Sequence, residues 1–326
     1  MGICLLRGPF HPAPVWGFRI PSWSISLASL GELACYFPGV QNLAGLLERL
    51  DLELLDRDLF RGFSPHDGRP RIFGGLVAAQ SLIAACRTVE GRVAHSLHGY
   101  FLREGDTSVP VLYHVDRIRD GRSFATRRVV AKQHGKAIFN LSVSFQAPED
   151  GLEHQANMPQ APPPETIPTN VERLRAYKER ADHPAIDFLL KLDRPIERRE
   201  VDHVDLLDPK PQSGIHRTWF RAAGTLDDDP VMHQAVLAYA SDYGLLEASF
   251  TQHGHSFLTD ELILASLDHA IWFHRSCRAD EWLLYVTDSP RTAGGRGLNF
   301  GRIYSQNGAL VASVAQEGLM RIRKPR

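Results

Sequence analysis

Two strand-like runs near the end of this chain carry polar side chains where a folded sheet should exclude water. Residues 266–275 read Ser-Leu-Asp-His-Ala-Ile-Trp-Phe-His-Arg, and residues 311–318 read Val-Ala-Ser-Val-Ala-Gln-Glu-Gly. An amide or hydroxyl that is buried without a partner costs roughly 1 to 3 kcal/mol. These runs therefore predict either a structural hydrogen-bond network or a functional site, and a site of this composition can hold and activate a water molecule.

Asp242 and Gln316 are the strongest candidates on residue type and position. Asp242 falls near the end of a mostly apolar predicted helix, on the face that carries Ala235 and Ala238. A carboxylate in such a place suits a general base, and the alternative is an aspartate that caps the next turn or reaches solvent. Gln316 lies in register with Val314 on the apolar face of a predicted strand. Its alternative role is to satisfy a backbone group at a bend in the sheet.

The more conspicuous residues after Ser266 are interpreted mainly as framework. Trp272 and Phe273 offer large surfaces for burial, whereas His274 and Arg275 are placed to meet carboxylates at a sheet edge. His269 and His274 are five residues apart, which on one strand directs their side chains to opposite faces. A metal site or a catalytic role for these histidines is therefore disfavoured.

The candidate residues belong to the second of two copies of one plan, a buried helix followed by an antiparallel meander. The first copy has an apolar run at 76–86 and strand-like segments at 95–104, 109–119, 123–134 and 136–147. In the second copy, Asp229 and Pro230 begin a helix over 231–246, followed by segments at 261–275, 282–290, 296–306 and 309–322. Period and composition alone predict a two-domain α+β fold. A buried helix wrapped by a curled antiparallel sheet, twice in one chain, is the double hotdog arrangement, and we expect that fold here.

The composition divides the chain into four parts. Residues 1–40 are rich in proline with only three charges and are expected to be an unstructured leader. Residues 41–148 form the predicted N-terminal hotdog domain, and residues 196–326 form the C-terminal domain with the candidate catalytic residues. The intervening 149–195 is predicted to be a proline-rich linker with a short surface helix near 170–183.

Charge and cysteine usage exclude several classes of function. With 37 basic and 38 acidic residues, the chain of 326 has no general field that would attract nucleic acid. Its four cysteines are far apart, which favours neither a metal site nor a disulfide framework and fits a reducing cytoplasm. No uninterrupted apolar run reaches the 18 or more residues that a membrane span needs.

The chain resembles acyl-CoA thioesterase II, the hotdog-fold thioesterase family of bacteria and peroxisomes. The resemblance extends from about residue 45 to 322 and leaves out only the leader. It is carried by 59–62 (Leu-Phe-Arg-Gly), 71–75 (Arg-Ile-Phe-Gly-Gly), 239–242 (Tyr-Ala-Ser-Asp), 268–275, 281–285 (Glu-Trp-Leu-Leu-Tyr) and 314–318 (Val-Ala-Gln-Glu-Gly).

The resemblance implies hydrolysis of acyl-CoA to free fatty acid and CoA, and hence a role in fatty acid metabolism. Asp242 would activate the water, Ser266 and Gln316 would position it, and a backbone N–H near a helix start would serve the oxyanion. No cofactor or metal is expected, because coenzyme A is part of the substrate. The resemblance also implies a homo-oligomer.

Two positions depart from the family pattern. Leu76 stands where the family usually has glutamine after its Phe-Gly-Gly motif, which weakens any catalytic role for the first helix. Ser266 stands where the family often has threonine, which keeps the hydroxyl and removes a methyl group.

Three alternatives remain open. Hotdog enoyl-CoA hydratases carry a histidine near the start of the helix, but here Met232 takes that position and His233 is one residue late, which rotates it by about 100°. An acyl-CoA binding module without catalysis is the second. A nucleophilic Ser266 is the third, although no Gly-x-Ser-x-Gly motif surrounds it. Arg291 and Arg296 are candidate contacts for the CoA phosphates.

Overall fold

The computed structural model describes residues 42–65, 71–258 and 262–322, so the leader predicted at 1–40 lies outside the described residues. The helices are α1 (Leu43–Leu50), α2 (Gly74–Cys86), α3 (Asn170–Arg180), α4 (Pro184–Lys191), α5 (Pro230–Ser241) and α6 (Glu247–Phe250). The strands are β1 (Glu53–Asp56), β2 (Leu59–Gly62), β3 (Val93–Phe101), β4 (Val111–Asp120), β5 (Phe124–Gln133), β6 (Lys136–Gln146), β7 (Ile196–Glu200), β8 (Ile215–Ala222), β9 (Leu262–Ser266), β10 (Asp268–Phe273), β11 (Leu283–Ala293), β12 (Arg296–Ser305) and β13 (Leu310–Ile322).

The strands form a continuous antiparallel sheet in the order β1-β2-β4-β5-β6-β3-β10-β13-β12-β11-β8-β7, with β9 paired to β13. The two halves of the chain meet where β3 pairs with β10, with His269 opposite Gly99 and Ile271 opposite Leu97. Each half thus curls its own meander around one central helix. This arrangement confirms the predicted double hotdog.

The two central helices are buried almost all round and pack against each other. Asp229 caps α5 by accepting the N–H of Val231 at 2.9 Å, as the sequence predicted. Along α2, a Cβ added at Gly75 would lie 2.5 Å from the carbonyl oxygen of Tyr239. The crossing therefore brings backbone against backbone, and only glycine fits at this point.

The segment between the halves packs over the end of α5. Thr169 and Glu172 form a capping box that starts α3, which matches the helix predicted near 170–183. Helix α4 follows it and was not predicted. Buried residues of both helices join Tyr243 and Leu258 in a second apolar cluster. The division of the chain into domains stays a prediction, but this segment forms one wall near the candidate site.

The structure corrects two element boundaries that bear on the site. The helix predicted over 231–246 ends at Ser241, and Gly244 then adopts a left-handed φ of +82° that turns the chain. The strand predicted over 261–275 is two strands, β9 and β10, separated at Leu267. Within the described ranges no helix is both long and apolar enough to cross a membrane.

The framework role of residues 272–275 is partly confirmed. Phe273 faces the core, whereas Trp272 is 37% exposed because neighbouring residues of a strand face opposite sides. Trp272 instead packs edge-on against the ring of His98, with centroids 4.8 Å apart. Arg275 meets the carboxylate of Glu153 at 2.6 Å, as expected of a sheet-edge arginine, but His274 contacts the hydroxyl of Ser313.

Replacing Gly75 by alanine is expected to destabilise the protein by about 1 to 3 kcal/mol, because the new methyl group must force the two central helices apart. The midpoint of urea unfolding measures the effect. Gly151→Ala is the matched control, since a Cβ there meets nothing within 4 Å. An unchanged midpoint for Gly75→Ala would show that the helices do not depend on this close approach.

Candidate active site

Asp242, Ser266 and Gln316 come together from one helix end and two strands. Asp242 directly follows α5, Ser266 ends β9, and Gln316 lies in the middle of β13. The amide Nε2 of Gln316 donates to Oδ1 of Asp242 at 2.5 Å, and the hydroxyl of Ser266 donates to the same oxygen at 3.3 Å. Two donors therefore converge on one carboxylate oxygen, and the other oxygen, Oδ2, is left for a different partner.

The backbone explains why the Asp242 carboxylate needs these donors. Asp242 occupies the C-cap position of α5 with helical dihedral angles, so its half-buried side chain lies near the negative end of the helix dipole. A carboxylate in this position is unfavourable unless hydrogen-bond donors compensate it. The amide and the hydroxyl supply that compensation.

Ser266 owes its position to the break between β9 and β10. At the break, Oδ1 of Asp268 accepts the N–H of Glu317 at 2.6 Å, so a side chain takes the place of a ladder hydrogen bond. Beyond it, β9 pairs with β13 with Ser266 opposite Gly318. A Cβ at Gly318 would lie 2.3 Å from Leu246, so this glycine lets the turn after α5 approach the sheet.

Gln316 is 1% exposed and contacts a second side chain besides Asp242. Its Nε2 lies 3.1 Å from Nδ1 of His269, and Nε2 of that histidine lies 2.9 Å from the hydroxyl of Ser241. The Oε1 atom of Gln316 is buried and has no hydrogen-bond partner among the described residues. The sequence predicted a framework role for His269 and gave no sign of this contact, because spacing along a strand does not reveal which residue of a neighbouring strand is adjacent.

A cavity of about 320 Å³ opens beside Asp242 and Ser266 at the junction of the two halves. The start of α2 contributes to its wall, and a Cβ at Gly74 would lie 2.9 Å from Oδ2 of Asp242. Gln316 lies behind Asp242 and does not line the cavity. Much of the wall is apolar and comes from both halves, including Phe73, Val77, Phe101, Ile138, Phe139, Leu246, Phe250, Phe257 and Leu264.

The arginines that line the cavity are not the two that the sequence suggested. Arg71 lines the cavity and pairs with Glu104 at 2.9 Å. Arg291 and Arg296 lie on the β11–β12 hairpin and do not line the cavity, and Arg296 is paired with Glu317 at 2.8 Å. Of the arginines in the described ranges, Arg71 and Arg103 are those at the cavity wall.

Glu247 also lines the cavity, five residues after Asp242, and separates it from a smaller cavity of about 70 Å³. Burial raises the pKa of its carboxyl to about 7, although the guanidinium of Arg198 opposes the rise. Arg198 lies 3.9 Å from Glu247 and stacks on the ring of Tyr243 at 4.5 Å. Glu247 is thus a titratable group in the cavity wall that the sequence did not single out.

The histidine relevant to hydratase chemistry lies elsewhere. His233 is buried near the start of α5, and its Nδ1 accepts the N–H of Ala279 at 3.1 Å. Asp242 lies nine positions further along the chain, which corresponds to about 13.5 Å along the helix axis. His233 does not line the cavity. Across the described ranges no cluster of three or more His, Cys, Asp or Glu side chains is arranged to hold a metal ion.

Comparison with known proteins identifies relatives across both halves. A family model described as acyl-CoA thioesterase matches residues 191–319, and one described as acyl-CoA thioesterase N-terminal domain matches residues 64–146. Acyl-coenzyme A thioesterase 8 of Homo sapiens is 40% identical over 283 residues, which covers 84% of this chain and 88% of that protein. Acyl-CoA thioesterase 2 of Haemophilus influenzae is 36% identical over 280 residues, covering 86% of this chain and 98% of that protein.

Solved structures also match this chain over most of its length. The crystal structure of the acyl-CoA thioesterase II TesB2 from Mycobacterium marinum matches with a TM-score of 0.70 and 44% identity, covering 86% of this chain and 99% of that one. A hot dog fold protein of unknown function from Alicyclobacillus acidocaldarius matches with a TM-score of 0.67 at 19% identity, covering 86% and 98%. The second match supports the fold alone.

Glu247 is expected to make stability depend on pH. Between the ordinary value of 4.5 and about 7, the folded protein keeps a proton on Glu247 that the unfolded chain has released, so stability falls as pH rises through this window. Because the side chain is 33% exposed, solvent screening reduces the effect to on the order of 1 kcal/mol.

Urea unfolding of the wild type and of Glu247→Gln at pH 5 and pH 8 measures this dependence. The wild type should lose more stability than the variant between the two values. Glu179→Gln, on the exposed side of α3, is the matched control. Equal losses in the wild type and in Glu247→Gln would contradict the raised pKa.

Proposed function

The chain belongs to the acyl-CoA thioesterase II family and hydrolyses acyl-CoA thioesters, and on this basis we propose that Asp242 activates the attacking water with Ser266 and Gln316 positioning the reacting groups. The observation that supports the proposal is the convergence of two donors on Oδ1 of Asp242 in the cavity wall. Such a network holds a carboxylate in one orientation, which is what a general base requires.

In the proposed reaction, Oδ2 of Asp242 takes a proton from a water molecule while the oxygen of that water attacks the thioester carbonyl. A C–O bond forms, and the carbonyl oxygen becomes negatively charged in a tetrahedral intermediate. Collapse of the intermediate breaks the C–S bond and releases the thiolate of CoA, which recovers the proton from Asp242. The products are the free acid and CoA. Oδ2 suits this role because both hydrogen-bond donors are directed at Oδ1.

The start of α2 is the proposed donor to the oxyanion. The first N–H groups of a helix have no partner within the helix and lie at the positive end of its dipole. Helix α2 begins at Gly74, beside Oδ2 of Asp242, and its N-cap residue, Phe73, provides no side-chain hydrogen bond. Donors that are already oriented toward a developing negative charge are a major source of rate acceleration. On this proposal the first half of the chain supplies the electrostatic stabilisation, and the second half supplies the base.

Ser266 is proposed to act as a hydrogen-bonding residue and not as a nucleophile. Its hydroxyl donates to Asp242, so its oxygen retains lone pairs that can accept a hydrogen bond from water. No strained turn of the Gly-x-Ser-x-Gly type presents it to the cavity, since Ser266 is the last residue of a regular strand. Direct attack by water is the mechanism consistent with this geometry.

Asp242→Asn is expected to lower kcat for acyl-CoA hydrolysis by about a hundredfold or more, the usual contribution of a general base. Release of free thiol from acyl-CoA substrates of several chain lengths measures the rate. Asp116→Asn is the matched control, because Asp116 pairs with Arg128 on the surface and should leave the rate unchanged.

Near-normal turnover by Asp242→Asn would remove this residue from the mechanism. Hydration of crotonyl-CoA, followed in the same samples, separates hydrolysis from the hydratase alternative. Saturable binding of acyl-CoA by the wild type without any thiol release would instead favour a binding module.

Ser266→Ala is expected to lower kcat by roughly tenfold and to retain clear hydrolysis, because it removes one hydrogen bond from the water and the carboxylate. Ser313→Ala, which removes a surface hydroxyl bonded to His274, is the matched control. The measurement pairs steady-state kinetics with mass spectrometry of wild-type enzyme quenched during turnover. A covalent acyl group on Ser266, together with complete loss of activity in the alanine variant, would replace direct water attack by a nucleophilic serine.

A further inference from the structure

We propose that His269 is a positioning residue that acts through Gln316: its neutral ring, with the proton on Nε2, fixes the amide of Gln316 so that Nε2 donates to Asp242. This inference rests on the proposed role of Asp242 as the base. It assigns a function to a histidine that does not line the cavity and does not touch the proposed base directly.

A continuous run of hydrogen bonds leaves the last residue of α5, Ser241, and returns to Asp242, which directly follows it. The hydroxyl of Ser241 donates to the carbonyl oxygen of Ala238 at 2.9 Å and lies 2.9 Å from Nε2 of His269. Nδ1 of His269 lies 3.1 Å from Nε2 of Gln316, which reaches Asp242 at 2.5 Å. Ser241, His269 and Gln316 are each at most 1% exposed.

The position of every proton in this run follows from the carboxylate. An ionised carboxylate only accepts hydrogen bonds, so the atom of Gln316 beside Asp242 must be the nitrogen. That nitrogen also faces His269, so Nδ1 of the ring must accept. A neutral ring that accepts at Nδ1 carries its proton on Nε2, which therefore donates to the hydroxyl of Ser241. The hydroxyl of Ser241 then donates its own proton to the carbonyl oxygen of Ala238, in agreement with the distance of 2.9 Å between the two oxygens.

Two other arrangements of the protons are inconsistent with these distances. If the amide of Gln316 were reversed, its oxygen would lie about 2.5 Å from a carboxylate oxygen, which is strongly repulsive. If the ring carried a proton on Nδ1, it would direct that proton at the N–H of Gln316. Each alternative breaks at least one contact in a buried network, where leaving a polar group unpaired is unfavourable.

The charge state of the ring agrees with this arrangement. Burial lowers the pKa of His269 below its usual value, and the nearby carboxylates of Asp242 and Asp268 oppose the shift without reversing it. The ring is therefore neutral at neutral pH. Without this acceptor the buried amide of Gln316 would lose one of the two contacts of Nε2 and could rotate away from the carboxylate.

Nitrogen-15 NMR of histidine-labelled wild-type enzyme at pH 7.5 tests the proton position directly. The signals of His269 are assigned by their absence in His269→Asn. We expect a neutral ring with its proton on Nε2. A ring with its proton on Nδ1, or a doubly protonated ring, would overturn the proposal. A side chain that merely fills space imposes no such preference.

Kinetics of two substitutions test whether the contact matters. Asparagine places an acceptor near the position of Nδ1, whereas leucine removes the acceptor and keeps apolar bulk. We expect His269→Leu to lower kcat by about tenfold or more with KM changed less than about threefold, and His269→Asn to recover most of that loss. Equal loss in both variants at equal folded fraction would contradict the assignment.

A double-mutant cycle separates positioning from general damage. In a Gln316→Met background the histidine has no amide left to orient, so adding His269→Leu should lower kcat by less than about threefold further. A further loss of kcat as large as that caused by His269→Leu alone would overturn the proposal. Asp242→Asn distinguishes the two levels of failure: an active Asp242→Asn enzyme refutes the base itself, whereas an inactive one with an additive cycle refutes only the role of His269.

Discussion

The structure depends on keeping a carboxylate at the C-terminal end of a buried helix. At this position Asp242 faces the negative end of the helix dipole in a half-buried environment, and both effects disfavour its charge. The donors that compensate it come from β9 and β13, which must both reach the end of α5. The strand break at Leu267, the left-handed turn at Gly244 and the absence of a side chain at Gly318 all serve that approach.

The two halves use the same fold in different ways. In the first half the buried amide of Gln80 on α2 is fully engaged, since it donates to the carbonyl oxygens of Arg49 and Phe63 and accepts from Tyr113. Its role is to fasten α2 to its surroundings. In the second half the amide of Gln316 is held against a carboxylate, and its oxygen has no partner among the described residues. The buried glutamine of the first half is thus fully hydrogen-bonded, whereas the buried glutamine of the half proposed to do chemistry is not.

Periodicity and turn residues were sufficient to predict the central helices, most meander strands and a two-domain α+β fold, whereas the double hotdog also depended on the family resemblance. They failed where tertiary contacts decide the structure. The apolar residues after Ser241 extend the helical pattern, so only the turn at Gly244 ends it. The break at Leu267 depends on Asp268 binding the backbone of a strand almost fifty residues away. The contacts of His269 with Gln316 and of Glu247 with Arg198 likewise join residues that are far apart in the sequence. Short charged strands such as β1 and β7 lack the alternation that pattern reasoning needs.

The departure at Leu76 is consistent with this division between the halves. Leu76 lies in the first turn of α2, is 1% exposed and packs in the main apolar core. A polar residue there would need a partner that the surrounding apolar side chains do not offer. What the first half can still contribute is its backbone, because the N–H groups at the start of α2 do not depend on the side chain that follows Gly75. On the proposed mechanism the site requires both halves, one for a helix start and the other for a carboxylate. Joining them in one chain allows each to specialise without the symmetry that identical subunits would impose.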